Sequence, residues 1–274
     1  MDANDPSVKG NVCMYLMCPP DYFKVDYSIN PWMKGEQVNL EIAKKQWNHL
    51  KVFLSSLGAT IKTITPHPDY PDMVFTANAG VVHDNRVVLS NFKHTERMGE
   101  KEYFKKWFLD NDYEVYELPE DIIFEGRGDC FVYKGHLIGG YGQRSQKEAI
   151  VETAKILELV PVAVELLDPR YYHLDTCLSI LDSHKGLAIY TPGAFNKDFE
   201  KLMASIDLNL IPVTAKESQN FACNAISFNG AVLFPRGSDK LERELERHGY
   251  VPADIAMSEF MKSGGACRCL VLEI

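Results

Sequence analysis

The chain has 274 residues, ordinary apolar and charged fractions (46% and 24%) and a net charge of −9. That length can bury a sizeable core, and without a Pro/Ser/Gly-rich linker or a break in composition it reads as one domain. The acidic balance argues against a nucleic-acid partner, no apolar run reaches the length of a membrane span, and the polar, acidic Met1–Gly10 is unlike a secretion signal.

In chain order, Val12–Met17 reads as a strand with no preceding unit. Ala43, Trp47, Leu50, Leu54 and Leu57 recur at helical spacing and stop at Gly58, a C-cap residue. Val74–Asn91 reads as strand, tight turn at Asp84-Asn85, strand, and Tyr103, Phe104, Trp107 and Phe108 mark a second helix. Cys130–Gly139 repeats the hairpin around Lys134-Gly135, after which Ser145 and Glu148 form a capping box that opens a third helix. Cys177–Tyr190 turns at Asp182–Gly186 and is followed by a helix opened by Asn196. Ala225–Pro235 turns at Asn229-Gly230 and is followed by a helix bracketed by Ser238 and Gly249. Cys269–Glu273 is a last strand without a hairpin partner.

Four hairpin-plus-helix units at a period of roughly 45–50 residues imply a radial or stacked architecture. If the first and last strands pair, they supply a fifth unit and close the ring, leaving few exposed edges. Polar groups stand just before or inside the first strand of successive units: Asn78, the Glu125–Asp129 run, His173 with Asp175, and Cys269. Equivalent residues of a radial repeat converge near its axis, so these groups are expected around one pocket.

Seven cysteines, an odd set without regular spacing, suit a reduced intracellular protein. Cys267-Arg268-Cys269 lacks a second Cys/His pair at finger-like spacing, which argues against zinc. Cys269 stands out because it follows the small-residue turn Ser263-Gly264-Gly265-Ala266, although local context alone favours a packing role for it. Of eight histidines, His173 stands out. In an extended segment, His173 and Asp175 would share one face, an imidazole beside a carboxylate.

Asp72–Gly80 (DMVFTANAG), Phe124–Asp129 (FEGRGD), Gly142–Ser145 (GQRS), His173–Thr176 (HLDT) and Gly264–Cys269 (GGACRC) together resemble the ordered motifs of the guanidino-group-modifying superfamily. That superfamily includes arginine deiminases, dimethylarginine dimethylaminohydrolases and amidinotransferases. The resemblance covers nearly the whole chain. It implies an α/β fold, the five-bladed α/β propeller called a pentein, with pseudo-five-fold ββαβ repeats around a central active site and residues 1–274 as a single catalytic domain.

Carried over by motif, the resemblance makes Cys269 the nucleophile and His173 the catalytic histidine. Glu125 or Asp129 is the carboxylate that orients it; Glu125-Gly126-Arg127-Gly128-Asp129 is one residue longer than the commoner pattern, and Glu125 is preferred. Asp175 would grip the guanidinium, Arg97 and Arg144 the substrate α-carboxylate, and Asp129 is kept among the substrate-binding residues. Thiolate attack on the guanidinium carbon would give a tetrahedral adduct, loss of ammonia and a covalent thiouronium that water then releases. No metal or organic cofactor is implied. The substrate is a small molecule, L-arginine or a methylated arginine, with no nucleic-acid or membrane partner; the setting is cytoplasmic, and assembly into a homo-oligomer is compatible with the reading.

Asn78 departs from the aspartate usual at its position. With Asn30–Met33 (NPWM), which places Asn30 among the substrate-binding residues, it resembles the arginine dihydrolases of cyanobacterial arginine catabolism. Those enzymes hydrolyse twice, from arginine to a citrulline-level intermediate and then to ornithine. A carboxylate facing the neutral ureido oxygen has nothing to bind, at a cost of about 1–3 kcal/mol for an unsatisfied acceptor. An asparagine amide can donate to that oxygen. The alternative is a one-step hydrolase acting on dimethylarginine or arginine and giving citrulline.

Overall fold

The computed structural model describes residues 13–274; Met1–Gly10 and Val12, the expected start of the first strand, lie outside them. Strand β1 (Met14–Met17) leads through a long loop to α1 (Leu40–Ser56) and β2 (Thr60–Thr63). The hairpin β3 (Gly80–His83) and β4 (Arg86–Leu89) is followed by the short α2 (Thr95–Met98), then α3 (Glu100–Asp110) and β5 (Glu114–Tyr116). Next come β6 (Cys130–Tyr133), β7 (His136–Tyr141), α4 (Lys147–Ile156) and β8 (Val160–Glu165). The following unit is β9 (Leu178–Asp182), β10 (Leu187–Tyr190), α5 (Phe199–Ala204) and β11 (Asn209–Pro212). After the short α6 (Ala215–Gln219) come β12 (Ile226–Phe228), β13 (Ala231–Pro235), α7 (Asp239–Arg247) and β14 (Val251–Ile255). The short α8 (Ser258–Met261) and β15 (Leu272–Glu273) end the described chain.

These strands make five three-stranded sheets of one topology. In each, the first strand runs antiparallel to the second, and the second pairs in parallel with a third. Parallel neighbours need a crossover, and the helix in each unit supplies it. The fifth sheet takes strands from both ends of the described chain: Tyr15 pairs with Glu273 and Leu16 with Leu272, while β1 runs parallel to β2.

Local chemistry explains the elements. Ala43, Trp47, Leu50 and Leu54 bury one face of α1, and the Asn39 side chain caps it by accepting from the Ile42 N–H at 3.1 Å. Lys134-Gly135 and Asn229-Gly230 hold positive φ at both turn positions, as a two-residue hairpin requires. Phe104 and Phe108 of α3 are fully buried in the apolar cluster that also holds Val87 and Leu89 of β4. Each contributes about 1.5–3 kcal/mol by leaving water.

The structure departs from the sequence expectations at the strand starts and helix caps. Val74–Ala79, expected as strand, is instead two 3-10 turns, Pro71–Val74 and Thr76–Ala79. Cys269 likewise lies in a 3-10 turn, Arg268–Leu270, and only Leu272–Glu273 pairs as strand. His173 is extended, but Leu174–Thr176 is a further 3-10 turn, so the alternation argument for His173 and Asp175 does not apply. Ser145 does not cap a helix, because carboxylate and backbone groups elsewhere claim its hydroxyl; Gln146 stands at the cap of α4 without a side-chain bond. Asn196 lies just ahead of α5, where its side chain accepts from the Asp198 N–H. A capping box does occur, at Thr214 and Glu217 of α6.

Candidate active site

Each sheet's first strand is preceded by a turn, and those turns meet. Asn78 lies in Thr76–Ala79, Glu125 and Asp129 flank Gly126–Gly128, Asp175 lies in Leu174–Thr176, Asn224 follows Phe221 in the turn before β12, and Cys269 lies in Arg268–Leu270. A turn rather than a strand is needed here because alternation would send every second polar group into the apolar layer between sheet and helix. Gly128 is required by the approach: a Cβ there would stand 2.3 Å from Asn78 Nδ2 and 3.4 Å from the His173 ring. Gly264 holds φ at +86°, and a Cβ would stand 2.8 Å from Asn30 Oδ1.

Asn30, Asp72, Asn78, Arg97, Arg144 and Cys269 line one small cavity, together with Ile29, Met33, Phe75, Tyr172 and Ser263. It is drawn in tightly, with about 10 Å³ open to a water-sized body, roughly one water. A larger cavity of about 550 Å³ lies toward the hairpin-turn ends of the first strands, lined by Tyr15, Ser179, Ser227 and Arg268 among others. The smaller one is the candidate site, because the cysteine, both predicted arginines and several amide or acid groups converge on it.

Cys269 is buried, and its thiol donates to Asp175 Oδ2 at 3.3 Å, while Asn224 Nδ2 donates to the sulfur at 3.1 Å. Burial and the neighbouring Asp175 push the thiol well up from its ordinary value. Burial also pushes the Asp175 carboxyl up to about 7, against the hydrogen bond from Cys269 and the charge of Arg268. Its Oδ1 is buried without a hydrogen-bond partner. Burial beside Asp175 therefore favours a neutral thiol, and a cation placed at Asp175 favours both ionised forms at once. Cys267 is fully buried in the core formed by α1, α8 and the last sheet.

His173 Nε2 lies 2.7 Å from Glu125 Oε2, and the same oxygen accepts from Arg144 Nη1 at 2.7 Å. Burial would raise the Glu125 carboxyl, but Arg144 and the His173 hydrogen bond outweigh it and hold the group well below the usual carboxylate range. Asp129 is not the partner of the imidazole, and it lies behind the cavity wall together with Glu125, His173 and Asp175, none of which lines the cavity. The Asp129 oxygens accept from Ser145 Oγ at 2.6 Å and the Leu174 N–H at 3.1 Å, which anchors the turn carrying His173 and Asp175. The extra residue, Arg127, points away to Glu273 and the Cys130 carbonyl.

Asn78 is clamped. Its Oδ1 accepts from Arg97 Nη1 at 2.9 Å and its Nδ2 donates to the Glu125 carbonyl at 3.2 Å. A guanidinium only donates, so the amide cannot be flipped, and its second N–H remains free for a ligand. Arg97 commits four N–H contacts, two of them to Glu100, whereas Arg144 commits two and keeps the remainder. Asn30 bridges Trp32 and Ser263. The sequence reading passed over three groups: Asp72, a buried acid in the cavity wall raised by burial; Ser145, which holds Asp129 and the Glu125 N–H; and Asn224. Asp72 opens the Asp72–Gly80 motif, a signal that could have found it, while Ser145 and Asn224 carry no site signal in isolation.

The family model described as N,N dimethylarginine dimethylhydrolase, eukaryotic, matches residues 20–274. The chain belongs to that dimethylarginine hydrolase family. It is 40% identical over 269 residues to the bifunctional arginine dihydrolase/ornithine cyclodeaminase AgrE of Nostoc sp., covering 95% of this chain but 37% of that protein. It thus spans little more than a third of the length of that relative. The N(G),N(G)-dimethylarginine dimethylaminohydrolase of Mycobacterium tuberculosis is 34% identical over 261 residues, 95% of this chain and 85% of that one. Among solved structures, the N-terminal domain of ArgZ, an arginine dihydrolase from the ornithine-ammonia cycle in cyanobacteria, bound to substrate, superposes with a TM-score of 0.91 at 40% identity, covering 95% of this chain and 97% of that one. Among the described residues of this family member, no group of three or more His, Cys, Asp or Glu is placed to hold a metal, and no helix is long and apolar enough to cross a membrane.

Proposed function

We propose that the protein is an arginine dihydrolase: L-arginine is hydrolysed to a citrulline-level intermediate and that intermediate to L-ornithine, releasing two ammonia and one carbon dioxide. The observation that carries this reading is Asn78: it lines the cavity with Cys269, Arg97 fixes its amide orientation, and its second N–H is uncommitted. A ureido oxygen finds a donor there, where a carboxylate would repel it. The likeness to AgrE and ArgZ supports the same assignment.

In this mechanism Asp175 receives the guanidinium, and Arg144 with Arg97 faces the α-carboxylate. Asp72 takes the α-ammonium. The Cys269 thiol gives its proton to His173, whose charge Glu125 balances. The thiolate then bonds to the guanidinium carbon, and the C–N bond breaks as His173 returns the proton to the departing ammonia. Water, deprotonated by His173, adds to the thiouronium, and the C–S bond breaks with its electron pair returning to sulfur. The chain acts as one catalytic domain, its five sheets the blades of a closed propeller around the site, in a cytoplasmic setting that keeps Cys269 reduced. The meeting of all five turns at one cluster supports that geometry.

The one-step reading, dimethylarginine to citrulline, has the family match and the mycobacterial relative in its favour. Incubation with L-arginine and, separately, with dimethylarginine, followed by chromatography of ammonia, dimethylamine, citrulline and ornithine, decides between them. Ornithine and two equivalents of ammonia from arginine are expected; citrulline as the end product would refute the dihydrolase assignment.

A further inference from the structure

Asn224 ends the turn before β12, the place in its unit that Asn78, Asp129, Asp175 and Cys269 hold in theirs. Its side chain is fully buried and wholly committed to the nucleophile's surroundings. Oδ1 accepts from the backbone N–H of Arg268 at 2.9 Å and of Cys269 at 3.2 Å. Nδ2 donates to Cys269 Sγ and to the Asp175 carbonyl, both at 3.1 Å. Because two N–H donors occupy the oxygen, the NH₂ end can face only the sulfur side.

We propose that Asn224 is a catalytic residue, the fixed hydrogen-bond donor to the Cys269 thiolate, and that the second hydrolysis depends on it more than the first. This step preference rests on the dihydrolase reading. When the thiol ionises, its contact with Asp175 turns from attraction to repulsion, whereas the Asn224 contact strengthens to a charge-assisted bond. During the first attack the substrate itself offsets the repulsion, since a guanidinium cation lies against Asp175 and the sulfur. During the second attack the electrophile is a neutral ureido carbon and brings no charge. Asn224 is then the fixed side-chain donor on sulfur, beside the backbone of Ala266, preorganised by the two backbone bonds and costing no rearrangement.

The second step balances without any further reagent. The thiolate bonds to the ureido carbon, and the C–NH₂ bond breaks with its electron pair on nitrogen, which takes a proton and leaves as ammonia. A thiocarbamate remains. Water adds, the C–S bond breaks to restore the thiol, and the carbamic acid left on the side chain separates into carbon dioxide and the primary amine.

Two variants separate the donor from the scaffold. Asn224→Asp keeps an acceptor for both backbone N–H groups but puts a carboxylate charge where the donor to sulfur stood, so Asn224→Ala, which removes the donor without adding charge, is read beside it. The first readout is the pH dependence of Cys269 alkylation by iodoacetamide in substrate-free protein, followed by peptide mass. Its midpoint should rise by about one pH unit or more when a charge-assisted bond is lost. The second is the product course from L-arginine: conversion of citrulline to ornithine should slow roughly 10–100-fold while arginine consumption slows several-fold less, so citrulline accumulates. An unchanged alkylation midpoint, or equal slowing of both steps, would overturn the proposal. A wild type that halts at citrulline would overturn the step preference along with the dihydrolase reading, and the alkylation midpoint would still decide whether Asn224 serves the sulfur.

Discussion

Replacing Glu125 by glutamine preserves shape and removes one charge at the most heavily used carboxylate of the site. Glu125 Oε2 receives both Arg144 and His173 at 2.7 Å, and Oε1 receives the Lys93 N–H at 3.1 Å. An amide has one oxygen for these three donors, so its NH₂ must face a donor on one side or the other. The guanidinium of Arg144, 3% exposed, also loses its only carboxylate among the described residues. Removing one partner of a buried pair costs about 3–5 kcal/mol. At about 2–4 °C per kcal/mol for a domain of this size, the melting temperature should fall by roughly 6–20 °C. Turnover should fall by roughly 10²–10⁴-fold as His173 loses its orientation and charge balance. The pH signature has a definite sign. A carboxyl held below its unfolded value of about 4.3 stabilises the fold above that pH and loses the contribution as pH falls further. The gap between wild type and Glu125→Gln should therefore be constant from pH 6 to 8 and narrow only below about 4. Calorimetry across that range, with ammonia release at pH 7, provides the assay, and Asp129→Asn serves as the milder control at about 1 kcal/mol. A loss under 2 °C with near-normal turnover would refute the shared-carboxylate account.

Cys269→Ala should abolish ammonia release, whereas Cys267→Ala should lower the melting temperature and keep most of the activity; the reverse outcome would move the nucleophile to Cys267. Asn78→Asp should retain some arginine consumption but accumulate citrulline, because the new carboxylate opposes the ureido oxygen; ornithine at the wild-type rate would remove Asn78 from the discrimination. Asp175 must be ionised to bind a guanidinium, and burial has pushed it up to about 7. The value of kcat/KM for arginine should therefore fall about tenfold per pH unit below 7, a limb that Asp175→Asn should abolish. For the substrate-free protein the sign is opposite: a raised acid stabilises the fold at low pH and loses that contribution as pH climbs through about 7, so melting temperature should rise from pH 8 to 6 on account of Asp175.

The repeating hairpins were legible because their determinants are local. Lys134-Gly135 and Asn229-Gly230 can hold positive φ wherever they occur, and the apolar alternation on either side depends on nothing distant. The turns at the site were not legible as turns. Val74-Phe75-Thr76-Ala77 and Cys269-Leu270-Val271 have strand composition, and only the need to present side chains to the other units bends them. Ser145 illustrates the same limit. Its spacing to Glu148 satisfies a capping box, but Asp129, sixteen residues earlier in sequence, offers its hydroxyl an ionisable acceptor. Asn224 sits in Phe-Ala-Cys-Asn-Ala, a run that reads as core, and its four bonds are all to residues more than forty positions away. The motif resemblance singled out Cys269, His173 and Glu125, and the His173–Glu125 contact between different units is tertiary information that periodicity lacks.

Pairing β1 with β15 joins Tyr15 to Glu273, the strand pairing of longest sequence separation among the described residues. Its equilibrium cost is modest, since each doubling of loop length adds only about 0.6 kcal/mol. Its kinetic consequence is larger, because such distant contacts form late. The turn bearing Cys269 leads directly into β15, so the sulfur is brought into register by the pairing of β15 with β1. The position of the sulfur therefore depends on the strand pairing of longest range in the described chain, whereas Glu125 and His173 are carried by units built on local hairpins.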